Sequence, residues 1–226
     1  VVAFEATNES PEKFAADPMR GVLCYPTSRA AYGRLTRMLT RGKQRAEKAK
    51  CKLFYDDLLA FGDGQIFVAL PPAEIDGDFA DFLRRLAAEF PGHVYLALQH
   101  LYRGDDARLL HRLDELARET GVPTVATNDV LYHTAARRRL QDVLSCIREG
   151  CTLAEAGYRL NAHAERHLKS PGEMARLFRG YEDALARSVE IAERCRFSLD
   201  ELRYDYPDES GGHGGTPQAR LESLTW

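Results

Sequence analysis

The fold is decided by residues 93–128, which read HVYLALQHLYRGDDARLLHRLDELARETGVPTVATN. Short apolar runs open and close this stretch, as buried strands do. Between them, apolar side chains recur at helical spacing from Leu109 to Ala117, and Gly121 with Pro123 ends the helix. Strand, helix and strand in succession predict an α/β fold with a largely parallel sheet.

The same alternation extends towards the N-terminus. A second amphipathic helix is predicted between Phe79 and Phe90, because five apolar side chains share one face. The apolar run at Val1 indicates a strand already under way, so we expect the chain to begin inside a domain. The apolar runs predict five strands: Val1–Ala6, Gly21–Tyr25, Gln65–Leu70, His93–Leu98 and Thr124–Asn128.

The C-terminal part of the sequence predicts helices alone. Ala135–Arg148 carries an apolar stripe, and Tyr181–Arg194 is predicted as a further helix. Asp205–Gly215, with a proline and four glycines, predicts a flexible linker before a new helix begins. We expect three regions: an α/β domain over residues 1–133, a helical extension over 134–204, and a linker with the start of another domain over 205–226.

The composition is that of an ordinary globular protein, with 44% hydrophobic residues, 29% charged residues and a net charge of −3. No run is long and apolar enough for a membrane span, so no membrane partner is expected. The five cysteines form no CxxC pair and are interpreted as buried thiols. Such thiols are typical of a reducing compartment, and we expect the protein to be cytoplasmic.

Basic charge is concentrated in one stretch of the chain. Arg29–Lys50 carries eight basic residues against one acid, Glu47. Such a run suits either a solvated helix face or contact with a nucleic-acid backbone. The sequence leaves both interpretations open.

Two further motifs are interpreted as structural. The acidic pairs Asp56–Asp57 and Asp105–Asp106 precede apolar helical runs, where carboxylates cap a helix N-terminus. His163 and His167 have the spacing of a helical metal pair, but no third ligand is near them in the sequence. Both histidines are therefore interpreted as surface residues.

Candidate site residues lie where predicted strands end, which is where α/β sheets present their ligands. Asp129 follows the strand Thr124–Asn128 and His133 comes four residues later; a carboxylate and an imidazole together could bind a metal. His100 and Glu5 also stand at or near strand ends. Each could instead cap a turn or form an ordinary hydrogen bond. No phosphate-binding loop, nucleophile elbow or Ser-His-Asp order is present, so no catalytic residue is predicted.

Six further runs carry a recognisable pattern: Ser28–Leu35, Val125–His133, Leu140–Gly150, His167–Met174, Ile191–Cys195 and Leu202–Pro207. In this order they resemble the alpha subunit of bacterial DNA polymerase III, and most closely its error-prone paralogue. Each run is weak by itself, but the series covers nearly the whole chain in the family's order. Leu131 and His133 favour the error-prone branch.

The resemblance implies part of a polymerase-and-histidinol-phosphatase (PHP) domain over residues 1–133, that is, an incomplete distorted β/α barrel around a metal cluster. The helical extension and the linker would lead into the polymerase core, whose catalytic aspartates lie beyond Trp226. The implied function of the whole protein is error-prone, DNA-directed DNA synthesis across lesions, in DNA replication, DNA repair and damage-induced mutagenesis. The implied partners are a DNA primer-template, deoxynucleoside triphosphates, the sliding clamp and accessory mutagenesis proteins, with Mg²⁺ as the polymerase cofactor.

Residue by residue, the resemblance implies a metal site with several ligands replaced. Glu5 matches a metal-binding glutamate, and Asp129 matches the aspartate of an Asp-x-His motif whose histidine position is occupied by Leu131. His100 lies one residue from a ligand histidine, at whose place Leu101 stands. We therefore expect a degenerate site in a fragment that is inactive alone and supports the polymerase structurally. The alternatives are a metal-dependent phosphoesterase of the PHP superfamily and a nucleic-acid-binding module.

Overall fold

The computed structural model describes residues 2–5, 21–48, 50–72, 74–203 and 216–226, with the backbone alone over residues 2–5. The predicted linker Asp205–Gly215 lies outside the described residues. Strands alternate with helices up to residue 127 and helices follow, which confirms the mixed α/β class. No helix in the described ranges is long and apolar enough to cross a membrane.

The strands form one six-stranded sheet in the order β3-β1-β2-β4-β5-β6. All five predicted strands are present, and their observed ends differ from the predicted ones by one residue at most. The additional strand, β3, has only two residues, too few for an apolar run to reveal it. The strands are β1 (Val2–Glu5), β2 (Gly21–Pro26), β3 (Leu53–Phe54), β4 (Gln65–Ala69), β5 (Val94–Gln99) and β6 (Thr124–Thr127).

The directions of the strands confirm the prediction of a largely parallel sheet, with β2 as the exception. Strands β1 and β3 pair in parallel. β4, β5 and β6 run parallel to one another, as residues 93–128 predict. However, β2 runs antiparallel to both of its neighbours, β1 and β4. An apolar run shows that a segment is a buried strand, but its direction depends on pairing with distant segments.

The helices follow the predicted apolar periods, and several begin at a side chain that caps the helix N-terminus. Asp76 accepts a hydrogen bond from the backbone N–H of Phe79 at 2.8 Å, and Ser170 accepts one from Glu173 at 3.2 Å. The α-helices are α1 (Arg29–Gln44), α2 (Tyr55–Phe61), α3 (Gly77–Glu89), α4 (Asp106–Thr120), α5 (Arg138–Glu149), α6 (Leu153–Ala156), α7 (Pro171–Leu177), α8 (Glu182–Arg194) and α9 (Pro217–Thr225).

The central strands β4 and β5 are buried along their whole length, because helices cover both faces of the sheet. On one face, Phe67 and Leu96 belong to the same buried cluster as Leu83 of α3 and Leu113 of α4. On the other face, Val68, Tyr95, Ala97 and Val125 cluster with Ile191 of α8. Through α8, the helical extension completes the core of the α/β unit.

Asp57 confirms the prediction of a helix cap and has a second role. Its Oδ2 accepts a hydrogen bond from the backbone N–H of Phe54 at 3.0 Å, which satisfies a free donor at the start of α2. The same carboxylate pairs with the guanidinium of Arg45, and Arg41 lies 3.8 Å away. With only 2% of its side chain exposed, Asp57 joins α1 to α2 through a buried ion pair.

Helix α5 is confirmed, but its apolar stripe faces solvent instead of the core. The exposed fractions of its apolar residues run from 40% for Val143 to 72% for Ile147, and only Cys146 in this helix is buried. Helix α5 packs mainly against its neighbours in sequence, and the described residues leave each side chain of the stripe at least 40% exposed.

Candidate site at the carboxyl edge of the sheet

Backbone strain marks the edge at which β5 and β6 end. Within the described residues, Tyr102 and Asp129 are the only non-glycine residues with positive φ, at 55° and 42°. Tyr102 follows β5 by three residues and Asp129 follows β6 by two. Side chains disfavour this conformation, which persists where surrounding contacts hold it and is frequent at functional sites.

The carboxylate of Asp129 is held by an arginine. The Nη2 atom of Arg166 lies 2.6 Å from Oδ2 of Asp129, and its Nε donates a hydrogen bond to the Asp129 carbonyl at 3.1 Å. Nη1 of Arg166 donates to Oδ1 of Asn161 at 3.3 Å. The guanidinium therefore neutralises Asp129 and fixes its strained backbone in the same contact. His133, which the sequence offers as a possible second ligand beside Asp129, is exposed.

Backbone pairing places Arg166 beside Asp129. The N–H of Leu131 donates to the carbonyl of Arg166 at 2.9 Å, and the N–H of Leu168 donates to the carbonyl of Tyr132 at 3.2 Å. The side-chain amide of Asn128 donates to the carbonyl of His167. The segment after β6 thus binds a loop much later in the chain, since Asn128 and His167 are 39 residues apart in sequence.

Replacing Arg166 by glutamine removes the charge that neutralises Asp129. We expect the free energy of unfolding to fall by about 1–2 kcal/mol, the usual cost of losing charge-assisted hydrogen bonds at a half-buried site. Arg176→Gln is the matched control, because Arg176 is 62% exposed and lies 3.9 Å from Glu173. Urea unfolding of both variants measures the difference, and equal losses would contradict this role for Arg166.

Asp106 organises the loop that carries Tyr102. Its carboxylate accepts hydrogen bonds from the backbone N–H groups of Leu101, Arg103 and Gly104, at 2.7, 2.9 and 3.3 Å. Burial acts to raise the pKa of Asp106, but these hydrogen bonds and the nearby imidazole outweigh it, so that the pKa lies below its usual value. Asp106 is thus a loop clamp rather than a simple helix cap.

The imidazole of His100 faces the carboxylate of Asp106, and no cluster of metal ligands surrounds it within the described residues. Its Nδ1 lies 3.9 Å from Oδ1 of Asp106 and is buried without a hydrogen-bond partner. Its ring meets Tyr102 edge to face at 4.7 Å between centroids. The structure therefore engages His100 and Asp129 with different partners. The side chain of Glu5 lies outside the described part of the chain.

His163 and Lys169 extend this network and correct the interpretation of His163 as a surface residue. His163 lies in a half-buried loop, where its Nδ1 accepts from the N–H of Glu165 at 3.2 Å and its Nε2 donates to the carbonyl of Leu101 at 3.0 Å. The side chain of Lys169 is fully buried, with Nζ 5.4 Å from the ring centre of Tyr102 and 3.0 Å from Oε2 of Glu165. Its hydrogen bond lowers the pKa of Glu165.

A cavity of about 420 Å³ opens between these loops. Its walls include two arginines, a histidine and the neutralised Asp129, so it does not present a free cluster of carboxylates. The lining residues include Leu101, Tyr102, Arg103, Asp129, His163 and Arg166.

The described residues at this edge do not fit a metal centre. In the ranges with described side chains, no three His, Cys, Asp or Glu residues gather closely enough to hold an ion. The one carboxylate that the resemblance transfers to this edge, Asp129, already has a cation in Arg166. A metal would have to displace that guanidinium before it could bind there.

Several members of the basic Arg29–Lys50 run serve the fold. Arg34 lies 2.8 Å from Asp63 and donates through Nε to its carbonyl at the same distance. Arg45 pairs with Asp57, and Lys50 lies 2.8 Å from Glu47. The interpretation of this run as a nucleic-acid contact stays a prediction.

The fold and this edge define a mixed α/β protein with a helical extension and an arginine-neutralised carboxylate at the ligand-presenting edge. No protein-family model matches the chain. The error-prone DNA polymerase of Caulobacter vibrioides is 50% identical over 210 residues, which cover 93% of this chain and 19% of the relative. Error-prone DNA polymerase 1 of Agrobacterium fabrum is 48% identical over 231 residues, covering 99% of this chain and 21% of the relative.

The chain is thus homologous to a segment of the bacterial error-prone DNA polymerases, which confirms the resemblance seen in its sequence. It spans about a fifth of the length of the curated relatives that it matches.

Proposed function

We propose that this chain is the part of an error-prone DNA polymerase that supports the catalytic core structurally, without metal chemistry of its own. The observation that carries the proposal is the ion pair between Asp129 and Arg166, at 2.6 Å. The guanidinium of Arg166 takes the structural role that a metal ion could have at this edge, because it neutralises the carboxylate and joins two loops. A guanidinium cannot activate water for hydrolysis as a metal does, so the edge keeps its architecture without that activity.

The proposal extends to the fold of the first region. The described sheet, with helices on both faces and ligand-type loops at its carboxyl edge, suits part of a PHP-type barrel over residues 1–133. Residues 134–204 form the helical extension, and 205–226 connect it to the polymerase core. The packing of Ile191 against the sheet supports a firm junction between the first two regions.

For the whole polymerase we propose DNA-directed DNA synthesis across lesions, in damage-induced mutagenesis and DNA repair, within the cytoplasm. Primer-template DNA and deoxynucleoside triphosphates would be its substrates, Mg²⁺ its cofactor, and the sliding clamp and mutagenesis proteins its partners. The support for this is the 50% identity to a relative named for error-prone DNA synthesis. The catalytic aspartates would belong to the part of the polymerase outside this chain.

A chimera tests the proposal directly. The 226 residues replace the segment that they match in the Caulobacter vibrioides polymerase, and primer extension is measured on a DNA primer-template with Mg²⁺. We expect extension within a few-fold of the parent, because half of the residues are identical. We also expect Asp129→Asn to leave the rate nearly unchanged, since a structural site contributes no chemistry. A folded chimera that makes no product would contradict the proposal.

The phosphoesterase alternative is tested on the chain alone. Its favouring observation is the cavity beside two strained residues, Tyr102 and Asp129, because strain and concave sites accompany enzyme activity. The chain is incubated with p-nitrophenyl phosphate and Mn²⁺. We expect no turnover above buffer, whereas turnover that Asp129→Asn abolishes would favour the alternative.

A further inference from the structure

The exposed apolar stripe of α5 has no partner in the described part of the chain. The stripe is defined by Leu140, Val143, Leu144 and Ile147, which are 52%, 40%, 48% and 72% exposed. In α3 and α4 the same helical spacing buries the apolar face against the sheet. None of the stripe residues belongs to the core that α3, α4 and α8 enclose. An exposed apolar surface of this kind is typical of an interaction site.

The stripe lies between two concave regions. One, of about 210 Å³, is lined by Leu131, Tyr132, Leu140 and Leu144. The other, of about 500 Å³, is lined by Val143, Cys146, Ile147 and Leu153 at the end of the helix. Surfaces of this shape take up protruding apolar side chains, as a groove does when it binds an amphipathic helix.

The rim of the stripe is basic. Arg137, Arg139, Arg148 and Arg159 are exposed and form no ion pair within the described residues. They outnumber the exposed acids Glu149 and Glu155, of which Glu155 lines the second concave region, so the rim keeps a net positive charge. A second copy of the chain related by a twofold axis would bring like charges together at this rim, which disfavours an isologous dimer. A partner helix with acidic residues beside its apolar face satisfies both the stripe and the rim.

We propose that the stripe docks an amphipathic, acidic-flanked helix from the remaining four-fifths of the polymerase polypeptide. The inference rests on the proposed function, in which this chain is one segment of that polypeptide. The relatives extend about five times the length of this chain as single sequences, so a covering segment is available at high effective concentration. The stripe is then the internal interface through which the segment supports the polymerase core.

Radical footprinting read by mass spectrometry tests the interface, using the 226-residue chain and the full-length chimera described above. In the isolated chain, Leu140, Leu144 and Ile147 are expected to be labelled freely. In the chimera their labelling is expected to fall about tenfold, as burial of a surface predicts. The matched control is Val189 of α8, an exposed residue outside the stripe at 59%, whose labelling is expected to stay constant. Equal labelling of the stripe in both proteins overturns the inference.

Stripe variants give a second, independent readout. Leu144→Asp with Ile147→Asp is expected to lower the melting temperature of the chimera but not that of the isolated chain, whereas Val189→Asp changes neither. If the isolated chain sediments as a dimer that the stripe variant dissociates, a second copy is the partner and the inference is wrong. The inference is equally wrong if the chain co-sediments with anionic vesicles through the stripe, because a membrane is then the partner.

Primer extension separates the two proposals. An active chimera with an unprotected stripe refutes the inference alone, and a folded, inactive chimera refutes the proposed function.

Discussion

Replacing Asp57 by alanine is expected to lower the free energy of unfolding by about 3 kcal/mol, the usual cost of breaking a buried ion pair from one side. The substitution removes the acceptor of the Phe54 N–H at the start of α2. It also leaves the guanidinium of Arg45 without its carboxylate, and only about a third of that side chain is exposed to water, at 35%. Urea denaturation followed by circular dichroism measures the loss.

Asp63→Ala is the matched control for this prediction. Asp63 also pairs with an arginine, Arg34 at 2.8 Å, but its own side chain is 86% exposed. An exposed pair of this kind contributes at most about 1 kcal/mol, because water screens it. If the two substitutions cost the same, burial of Asp57 is not what makes its ion pair important.

Asp106→Asn is expected to cost about 2–3 kcal/mol at pH 7, since a neutral amide replaces a carboxylate that accepts three backbone hydrogen bonds. The loop from Leu101 to Gly104 would lose the carboxylate that holds it. Tyr102 in this loop would then lose the contacts that support its positive φ. Proteolysis of this loop and the free energy of unfolding give two measures of the effect.

The cost of Asp106→Asn is expected to depend on pH. The pKa of Asp106 is lowered in the folded chain, so its contribution is complete above the unfolded value of about 3.9 and is lost as the pH falls through the folded value. The difference between the native chain and the variant should therefore be constant near neutral pH and shrink in acid. Asp105→Asn, at a neighbouring side chain that is 47% exposed, serves as the control. A difference that persists unchanged in acid would refute the assignment.

Local patterns predict the elements of this fold well, since strands and helices depend on residues close together in sequence. Residues 93–128 predict β5, α4 and β6 within a few residues. Pairing between distant segments is not encoded in this way, so the antiparallel direction of β2 and the existence of the two-residue β3 were not predicted. The periodicity of α5 also indicates a helix correctly, but it does not say what the apolar face contacts.

The candidate site shows the same limit more sharply. The position of Asp129 at the end of a buried strand could be predicted, because strand ends present ligands in α/β sheets. Its partner Arg166 lies 37 residues later and carries no motif, so only the folded chain identifies it. The resemblance supplies one indirect signal, since Leu131 stands where the family motif has a histidine, but that signal does not point to an arginine.

The measurement that tests the central claim most directly is metal binding by this chain, by calorimetric titration with Mn²⁺ and Zn²⁺ and elemental analysis after dialysis. Because Arg166 already neutralises Asp129, we predict no stoichiometric binding, and no difference between the native chain and Asp129→Asn. Tight binding of one or more ions per chain, lost in Asp129→Asn, would contradict the account and restore a working metal centre to this edge of the sheet.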